Sequence, residues 1–243
     1  MLDTWQNAFG YEKINNFFSA SQIKDIDDQV RKLANEQDKK NYVWKYYEKD
    51  KTTLSRIEYF VKYNDYLNNL ALDDNMLRLV TEKMDDTPVL FKDKINFKYP
   101  AGAGFEPHQD ITAGWGAYTN KHITVAIPLC DTNEENGCIF FGKPATSKLT
   151  ADFQDLEQDI FLEPCQTKIG DIVLFDSYVP HASYKNKTSL ARAMVFFTYT
   201  PFGAGDFYEA YHADKFNSVP PDIHKVKGRR YRTGNSNSKK TTY

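Results

Sequence analysis

Residues 89–110, VLFKDKINFKYPAGAGFEPHQD, decide the fold, because they join a strand-like run to a Gly/Pro-rich loop and a His-x-Asp pair. The run at 89–99 is rich in aromatic and β-branched residues. Similar short runs, separated by turn-forming segments, recur at 122–130, 138–141, 171–175 and 191–200. This pattern predicts a mainly β protein, a sandwich or barrel rather than a parallel βαβ sheet.

Helical signals precede this β-rich region. Ser19 and Gln22 fit a capping box, and apolar residues then recur at helical spacing, which predicts an amphipathic helix over about 20–35. A second helical stretch is predicted over about 65–84. The charged and aromatic segment 38–53 has no clear period and is left unassigned. We therefore expect N-terminal helices that cover a β core.

Composition excludes several classes of function. The 243 residues include 31 Lys plus Arg and 33 Asp plus Glu, so the net charge of −2 argues against nucleic-acid binding through the overall field. The sequence shows neither an apolar stretch long enough for a membrane helix nor a secretory leader. Cys130, Cys138 and Cys165 form no CxxC pair. We expect a cytoplasmic protein with reduced thiols and no membrane partner.

The last stretch, residues 225–243, is basic and contains no acidic residue. A solvated, flexible tail is the expected interpretation. The alternative is an arm that contacts phosphates, although only two tyrosines are interleaved with its basic residues.

Two histidines and an aspartate have the pattern of a metal site. Side chains alternate along a strand, so His108 and Asp110 can point to the same side. His181 lies 73 residues later, after another predicted strand, and could face them across a barrel. Two imidazoles and one carboxylate on one face of a metal ion leave the opposite face open, as non-haem Fe(II) oxygenases require.

Arg192 begins the apolar run 192–199, eleven residues after His181. An arginine in this position either lies at a solvated rim or points into a cavity that holds an anion. Its guanidinium group can bind a carboxylate through two parallel hydrogen bonds.

Together these residues resemble the metal triad and co-substrate anchor of Fe(II)- and 2-oxoglutarate-dependent dioxygenases. The surrounding sequence resembles the phytanoyl-CoA dioxygenase family over roughly residues 90–200. The motifs that carry the resemblance are Lys94-Ile-Asn96-Phe-Lys98, His108-Gln109-Asp110, Thr124-Val-Ala-Ile-Pro-Leu, Asn136-Gly137-Cys138, Gly170-Asp171, His181-Ala-Ser183 and Arg192. The chain departs from the family at 142–147, where Gly-Lys-Pro-Ala-Thr-Ser replaces a Pro-Gly-Ser-His run.

The resemblance implies a double-stranded β-helix, a cupin-like jelly roll. The expected organisation is a single domain over 1–224, with a helical cover at 1–88 and a jelly-roll core at 89–205, followed by the tail. The triad would hold Fe(II), and 2-oxoglutarate would chelate the metal while its far carboxylate meets Arg192. Expected helpers in binding the co-substrate are Ser183, Asn96, Thr124 and Lys94. Alternatively, Lys94 and Lys98 belong to a solvent-facing strand surface.

The implied reaction consumes O2 and 2-oxoglutarate, releases succinate and CO2, and oxidises a C–H bond; ascorbate would support activity. Related halogenases replace the triad carboxylate, so Asp110 predicts hydroxylation or another oxidation. The expected substrate is a small metabolite, an amino acid derivative or an aminophosphonate. Aromatic and histidine side chains that could surround it, or simply pack the core or a lid, are Phe105, Trp115, Tyr118 and His212.

Two other functions remain open at this stage. One is a jelly-roll sensor that binds metal or 2-oxoglutarate without turnover. The other is an oxygenase that modifies a macromolecule, with the basic tail as a docking arm. The oligomeric state stays undetermined.

Overall fold

The structure, a computed structural model, describes residues 10–142, 161–232 and 240–242. Most of the run in which the sequence departs from the family, 143–147, lies outside these ranges. The helices are α1 (Ala20–Asn35), α2 (Asp65–Ala71), α3 (Asp74–Met84) and α4 (Tyr208–Ser218). The strands are β1 (Tyr11–Ile14), β2 (Trp44–Tyr47), β3 (Leu54–Glu58), β4 (Pro88–Lys98), β5 (Phe105–His108), β6 (Ile123–Pro128), β7 (Ile139–Gly142), β8 (Leu162–Cys165), β9 (Ile172–Asp176), β10 (His181–Ser183), β11 (Arg192–Pro201), β12 (Arg230–Arg232) and β13 (Lys240–Thr242).

Two antiparallel sheets form the body of the protein. The larger sheet has the strand order β1-β9-β6-β11-β4-β3-β2, and the smaller has the order β5-β10-β7-β8. Apolar side chains from both sheets meet in one buried cluster that includes Phe141, Phe175 and Phe196. Sheets packed face to face in this way are typical of a jelly roll. The prediction of a mainly β protein with N-terminal helices is confirmed.

The N-terminal helices cover the outer face of the larger sheet. Helix α1 begins at a capping box, in which Ser19 Oγ accepts from the Gln22 backbone and Gln22 Oε1 accepts from the Ser19 backbone. Its apolar face is buried in the main core. The stretch predicted as one helix over 65–84 is two helices, because Asp73 starts a new one by accepting a hydrogen bond from the Met76 backbone.

The other face of the larger sheet, which we call the inner face, looks toward the smaller sheet. Asn96 and Lys94 on β4 pair with Met194 and Phe196 on β11, and both of these partners belong to the cluster between the sheets. Alternation then places Lys98 on the same face, where it is 3% exposed. These polar residues therefore lie between the sheets and not on a solvent-facing strand surface.

No helix within the described ranges has the length and hydropathy needed to cross a membrane. In the basic C-terminal stretch, β12 pairs with β13, and residues 233–239 between them lie outside the description. Flexibility of this stretch and the single-domain boundaries both stay predictions.

Candidate active site

His108, Asp110 and His181 meet at one edge of the smaller sheet. Each offers one ligand atom, and these atoms all lie within 4.8 Å of one another. His108 and His181 are direct cross-strand partners on β5 and β10. His181 therefore lies beside His108 rather than across the barrel. Asp110 begins a 3₁₀ turn just after β5, so the turn, and not strand alternation alone, brings its carboxylate to the histidines.

Backbone carbonyls orient both imidazole rings. His108 Nδ1 lies 2.8 Å from the Glu106 carbonyl oxygen, and His181 Nδ1 lies 2.9 Å from that of Val179. A carbonyl accepts only, so Nδ1 of each ring carries the proton and Nε2 presents its lone pair. The Nε2 atoms lie 3.8 and 3.9 Å from the two Asp110 carboxylate oxygens. This donor set fits a divalent ion such as Fe(II).

Electrostatics keep these three groups in their metal-binding protonation states. Burial, and then the neighbouring His181, lowers the pKa of His108 to about 3. Burial also lowers the pKa of His181. Burial opposes ionisation of Asp110, but the neighbouring His181 and Lys94 outweigh burial and lower the pKa of its carboxyl to about 2. Neutral imidazoles and an ionised carboxylate are the forms that bind a metal.

Arg192 and Lys98, which we call the Arg192 pair, are cross-strand partners on the inner face. Arg192 Nε donates to the Asn136 carbonyl at 3.1 Å, and its Nη2 donates to the Gly137 carbonyl. Lys98 Nζ donates to Ser183 Oγ at 2.8 Å and to the Tyr184 carbonyl at 2.6 Å. Within the described ranges neither cation forms an ion pair with a carboxylate.

A buried pair of cations without a carboxylate calls for an anion. Burial lowers the pKa of Arg192 to about 10. Burial, and then the charge of Arg192, lowers the pKa of Lys98 to about 7. A carboxylate bound between them would favour the charged forms of Arg192 and Lys98 and so raise both pKa values. The adjacent Ser183 hydroxyl can donate a hydrogen bond to it. The Arg192 pair thus has the chemistry to hold the far carboxylate of 2-oxoglutarate.

The other predicted co-substrate residues also lie on the inner face, in different surroundings. Asn96 Oδ1 is buried without a hydrogen-bond partner. Thr124 Oγ1 lies 2.9 Å from Thr198 Oγ1. The charges with the largest effect on the pKa of Lys94 are those of Lys92, Asp110, Arg56 and Glu58. Lys94 therefore interacts electrostatically with Asp110 of the metal triad and with the charges of Lys92, Arg56 and Glu58.

The four predicted substrate residues divide between three places. Phe105 lies beside the Arg192 pair, with Lys98 Nζ 5.9 Å from its ring centre. Trp115 and Tyr118 belong to a separate aromatic cluster with Phe91. His212 on α4 is buried against other aromatic rings, and its Nε2 lies 3.5 Å from Asp93. The site thus brings together only part of this set.

Sequence reasoning missed a group of charged residues near Lys94. Arg56, Glu58, Lys92 and Lys215 are buried or nearly so. The alternation Arg-Ile-Glu at 56–58 is the one available signal, since it is typical of a strand with a polar face. Nothing in the sequence alone indicates that this strand pairs with β4.

Comparison with known proteins shows the family to which the chain belongs. The profile of the phytanoyl-CoA dioxygenase (PhyH) family matches residues 7–194. A 2-aminoethylphosphonate dioxygenase from Uncultured bacterium HF130_AEPn_1 is 32% identical over 238 residues, which cover 93% of this chain and 91% of that protein. A methylphosphonate hydroxylase from Gimesia maris is 29% identical over 226 residues, which cover 89% of this chain and 86% of the relative.

A solved structure supports the fold. The crystal structure of EctD from S. alaskensis with 2-oxoglutarate and 5-hydroxyectoine superimposes with a TM-score of 0.68 at 16% identity. The match covers 81% of this chain and 74% of EctD. The expected jelly-roll architecture is confirmed by this likeness.

Proposed function

We propose that this chain, which belongs to the phytanoyl-CoA dioxygenase family, hydroxylates a C–H bond of a small phosphonate. The protein is an Fe(II)- and 2-oxoglutarate-dependent dioxygenase that acts on a small molecule. In such an enzyme the bound iron couples oxidative decarboxylation of 2-oxoglutarate to oxidation of the substrate. The roles of individual residues and the phosphonate substrate are the proposal.

Each residue of the site has a defined task in this proposal. His108, Asp110 and His181 would hold Fe(II), which would supply the oxidation chemistry once co-substrate and O2 are bound. The Arg192 pair and Ser183 bind the far carboxylate of 2-oxoglutarate. Rings of the apolar cluster between the sheets lie against His181 and Lys94, and this low-dielectric lining strengthens nearby charge interactions.

The observation that carries the phosphonate assignment is similarity over nearly the full chain to two enzymes named for phosphonates. A phosphonate group is small, tetrahedral and doubly charged when ionised, so it needs several cationic donors in a confined space. The inner face provides cations near the triad: Lys94 is half-buried, and its charge helps to lower the pKa of Asp110. The geometry and the relatives therefore favour the same class of substrate.

Succinate release tests the proposal. Aerobic protein with Fe(II), ascorbate and 2-oxoglutarate is assayed with methylphosphonate, with 2-aminoethylphosphonate and with β-alanine, the carboxylate counterpart of the latter. We expect a phosphonate to stimulate succinate release and β-alanine to leave it at the substrate-free level. His108→Ala and Asp110→Ala should abolish activity, and Arg192→Met should raise the KM for 2-oxoglutarate. Equal stimulation by β-alanine would contradict the phosphonate assignment.

A further inference from the structure

A second group of charges lies on the inner face, apart from the Arg192 pair. It comprises Arg56, Glu58, Lys92, Lys94 and Lys215, which we call the Glu58 cluster. Arg56 and Glu58 on β3 pair with Asn96 and Lys94 on β4. Arg56 Nε lies 3.1 Å from Glu58 Oε1, Lys92 Nζ lies 4.0 Å from the same atom, and Lys215 on α4 reaches Oε2.

The cluster contains four cations and one carboxylate. Burial opposes ionisation of Glu58, which is fully buried, but its three cationic neighbours outweigh burial and lower the pKa of its carboxyl. Burial lowers the pKa of Lys215 well below its usual value, and it lowers that of Lys94 to about 8. A net positive charge inside a protein is costly unless an anion accompanies it. The other carboxylates that act on the cluster are Asp222, which acts on Arg56 but is paired with Lys225, and Asp110, which belongs to the metal triad. A surplus of positive charge therefore remains.

Lys94 is the member best placed to bind an external anion. Within the described ranges its Nζ has neither a hydrogen bond nor an ion pair. The Nζ atom lies 4.4 Å from the centre of the Phe196 ring. Its charge acts on Asp110 and His108, so it is close to the metal triad. The neighbouring Asn96 Oδ1 is buried and unpartnered.

The Glu58 cluster and the Arg192 pair are separate sites. Lys94 and Lys98 are four residues apart on β4, a distance of about 13 Å along a strand. The two groups also have different partners: Lys98 donates to Ser183 and Tyr184, whereas Lys92 and Lys215 approach the Glu58 carboxylate. In the proposed site, 2-oxoglutarate binds through its far carboxylate to the Arg192 pair. It therefore does not neutralise the surplus positive charge of the Glu58 cluster. Beside Lys92, the rings of Trp115 and Tyr211 form an apolar wall.

We propose that the Glu58 cluster binds the phosphonate group of the substrate, that Lys94 contacts it directly, and that the surplus positive charge selects dianions. This inference rests on the proposed function, because it assigns the phosphonate to particular residues. The phosphonate also feels the charges of Arg56, Lys92 and Lys215. These three cations surround Glu58, whose single negative charge does not balance them. A singly charged analogue of the same shape leaves part of that surplus in place and binds more weakly.

Calorimetry on the anaerobic protein loaded with Fe(II) tests the assignment: 2-oxoglutarate is titrated first, and methylphosphonate is then titrated into the 2-oxoglutarate complex. Lys94→Met should weaken methylphosphonate binding at least tenfold and leave the Kd of 2-oxoglutarate within threefold of wild type. Lys98→Met is the matched control, since it makes the same change on the same strand and face. It should weaken 2-oxoglutarate binding at least tenfold, and methylphosphonate affinity should change less than in Lys94→Met. Unchanged methylphosphonate affinity in Lys94→Met would overturn the assignment.

A second measurement needs no variant. At neutral pH, where part of the methylphosphonate is dianionic and Lys94 is still charged, wild-type protein should bind methylphosphonate at least tenfold more tightly than methanesulfonate, which is tetrahedral but singly charged. Equal affinities would overturn the charge argument even if a variant failed to fold. Failure of the two proposals is distinguishable. A wild-type enzyme that oxidises no phosphonate overturns both, whereas phosphonate oxidation with unaltered binding in Lys94→Met overturns only the role of the cluster.

Discussion

Gly137 lies against the Arg192 pair, and its lack of a side chain shapes that site. It has a φ of +74°, and a Cβ there would lie 2.4 Å from the Tyr184 carbonyl oxygen and 2.9 Å from Lys98 Nζ. Gly137→Ala should cost about 1–2 kcal/mol in backbone strain alone. Displacing Lys98 also disturbs a charge-assisted hydrogen bond worth about 1.5–3 kcal/mol, so the KM for 2-oxoglutarate should rise roughly tenfold. Steady-state kinetics and chemical denaturation measure the two effects.

Gly228→Ala provides the control for backbone strain. Gly228 has a φ of +84°, and a Cβ there would meet nothing within 4 Å. Both variants should lose stability through the unfavourable φ, but only Gly137→Ala should change the KM for 2-oxoglutarate. A wild-type KM in Gly137→Ala would show that the close approach to Lys98 is irrelevant to co-substrate binding.

Helix α4 packs against strand β4. Its Tyr208 hydroxyl donates to Asp93 Oδ1 at 2.9 Å, while Asp93 Oδ2 accepts from the Val61 backbone at 3.0 Å. Asp93 is fully buried, so removal of one donor leaves part of its carboxylate unsatisfied. Tyr208→Phe should lower the free energy of unfolding by roughly 1–3 kcal/mol, measured by urea denaturation.

Tyr66→Phe makes the same chemical change on α2, where the side chain is exposed. Its effect should stay within about 0.5 kcal/mol, as is usual for surface positions. If the two variants lost equal stability, the bond to Asp93 would not anchor α4.

Helix α4 and strand β2 are two of the elements that the sequence did not predict; the others are the short strands β1, β3, β5, β8, β10, β12 and β13. For α4 and β2 the physical reason is the same. On β2, Trp44, Lys45 and Tyr46 are all buried, because the strand is covered on both faces, so no alternation exists to detect. The buried Lys45 ammonium group donates a hydrogen bond to the Ala34 carbonyl. The buried face of α4 consists of Tyr208, Tyr211 and His212, which do not form an apolar stripe. Tertiary contacts, and not local pattern, make these segments ordered.

Residues whose chemistry depends on their type and spacing were predictable. His108, Asp110 and His181 meet as expected, although through a turn and a neighbouring strand. Lys98 and Lys94 were open to two interpretations, because alternation gives a common face but not its direction. The Glu58 cluster required the pairing of β3 with β4, a contact between residues about forty positions apart that only the folded chain contains.

Within the part of the chain that the structure describes, two groups of largely buried cations, the Arg192 pair and the Glu58 cluster, lie on the inner face with the metal triad. Ligands that bind the folded chain and not the unfolded chain stabilise it by about 2.7 kcal/mol at one hundred times their Kd. For a protein of this length each kcal/mol corresponds to about 2–4 °C, so Mn(II) at that concentration should raise the Tm by about 5–10 °C. Mn(II) serves as the probe because it occupies oxygen and imidazole sites without turnover of the co-substrate.

Thermal denaturation with stepwise additions separates the contributions. Asp110→Asn should lose most of the Mn(II) response, because a neutral amide replaces the only charged ligand of the triad. Lys98→Met should keep the Mn(II) response and lose the further rise that 2-oxoglutarate produces in wild type. Since each anion relieves a different group of cations, 2-oxoglutarate and methylphosphonate should stabilise wild type additively. If saturating 2-oxoglutarate removed the methylphosphonate response, the two anions would share one group of cations and the inner face would hold a single anion site.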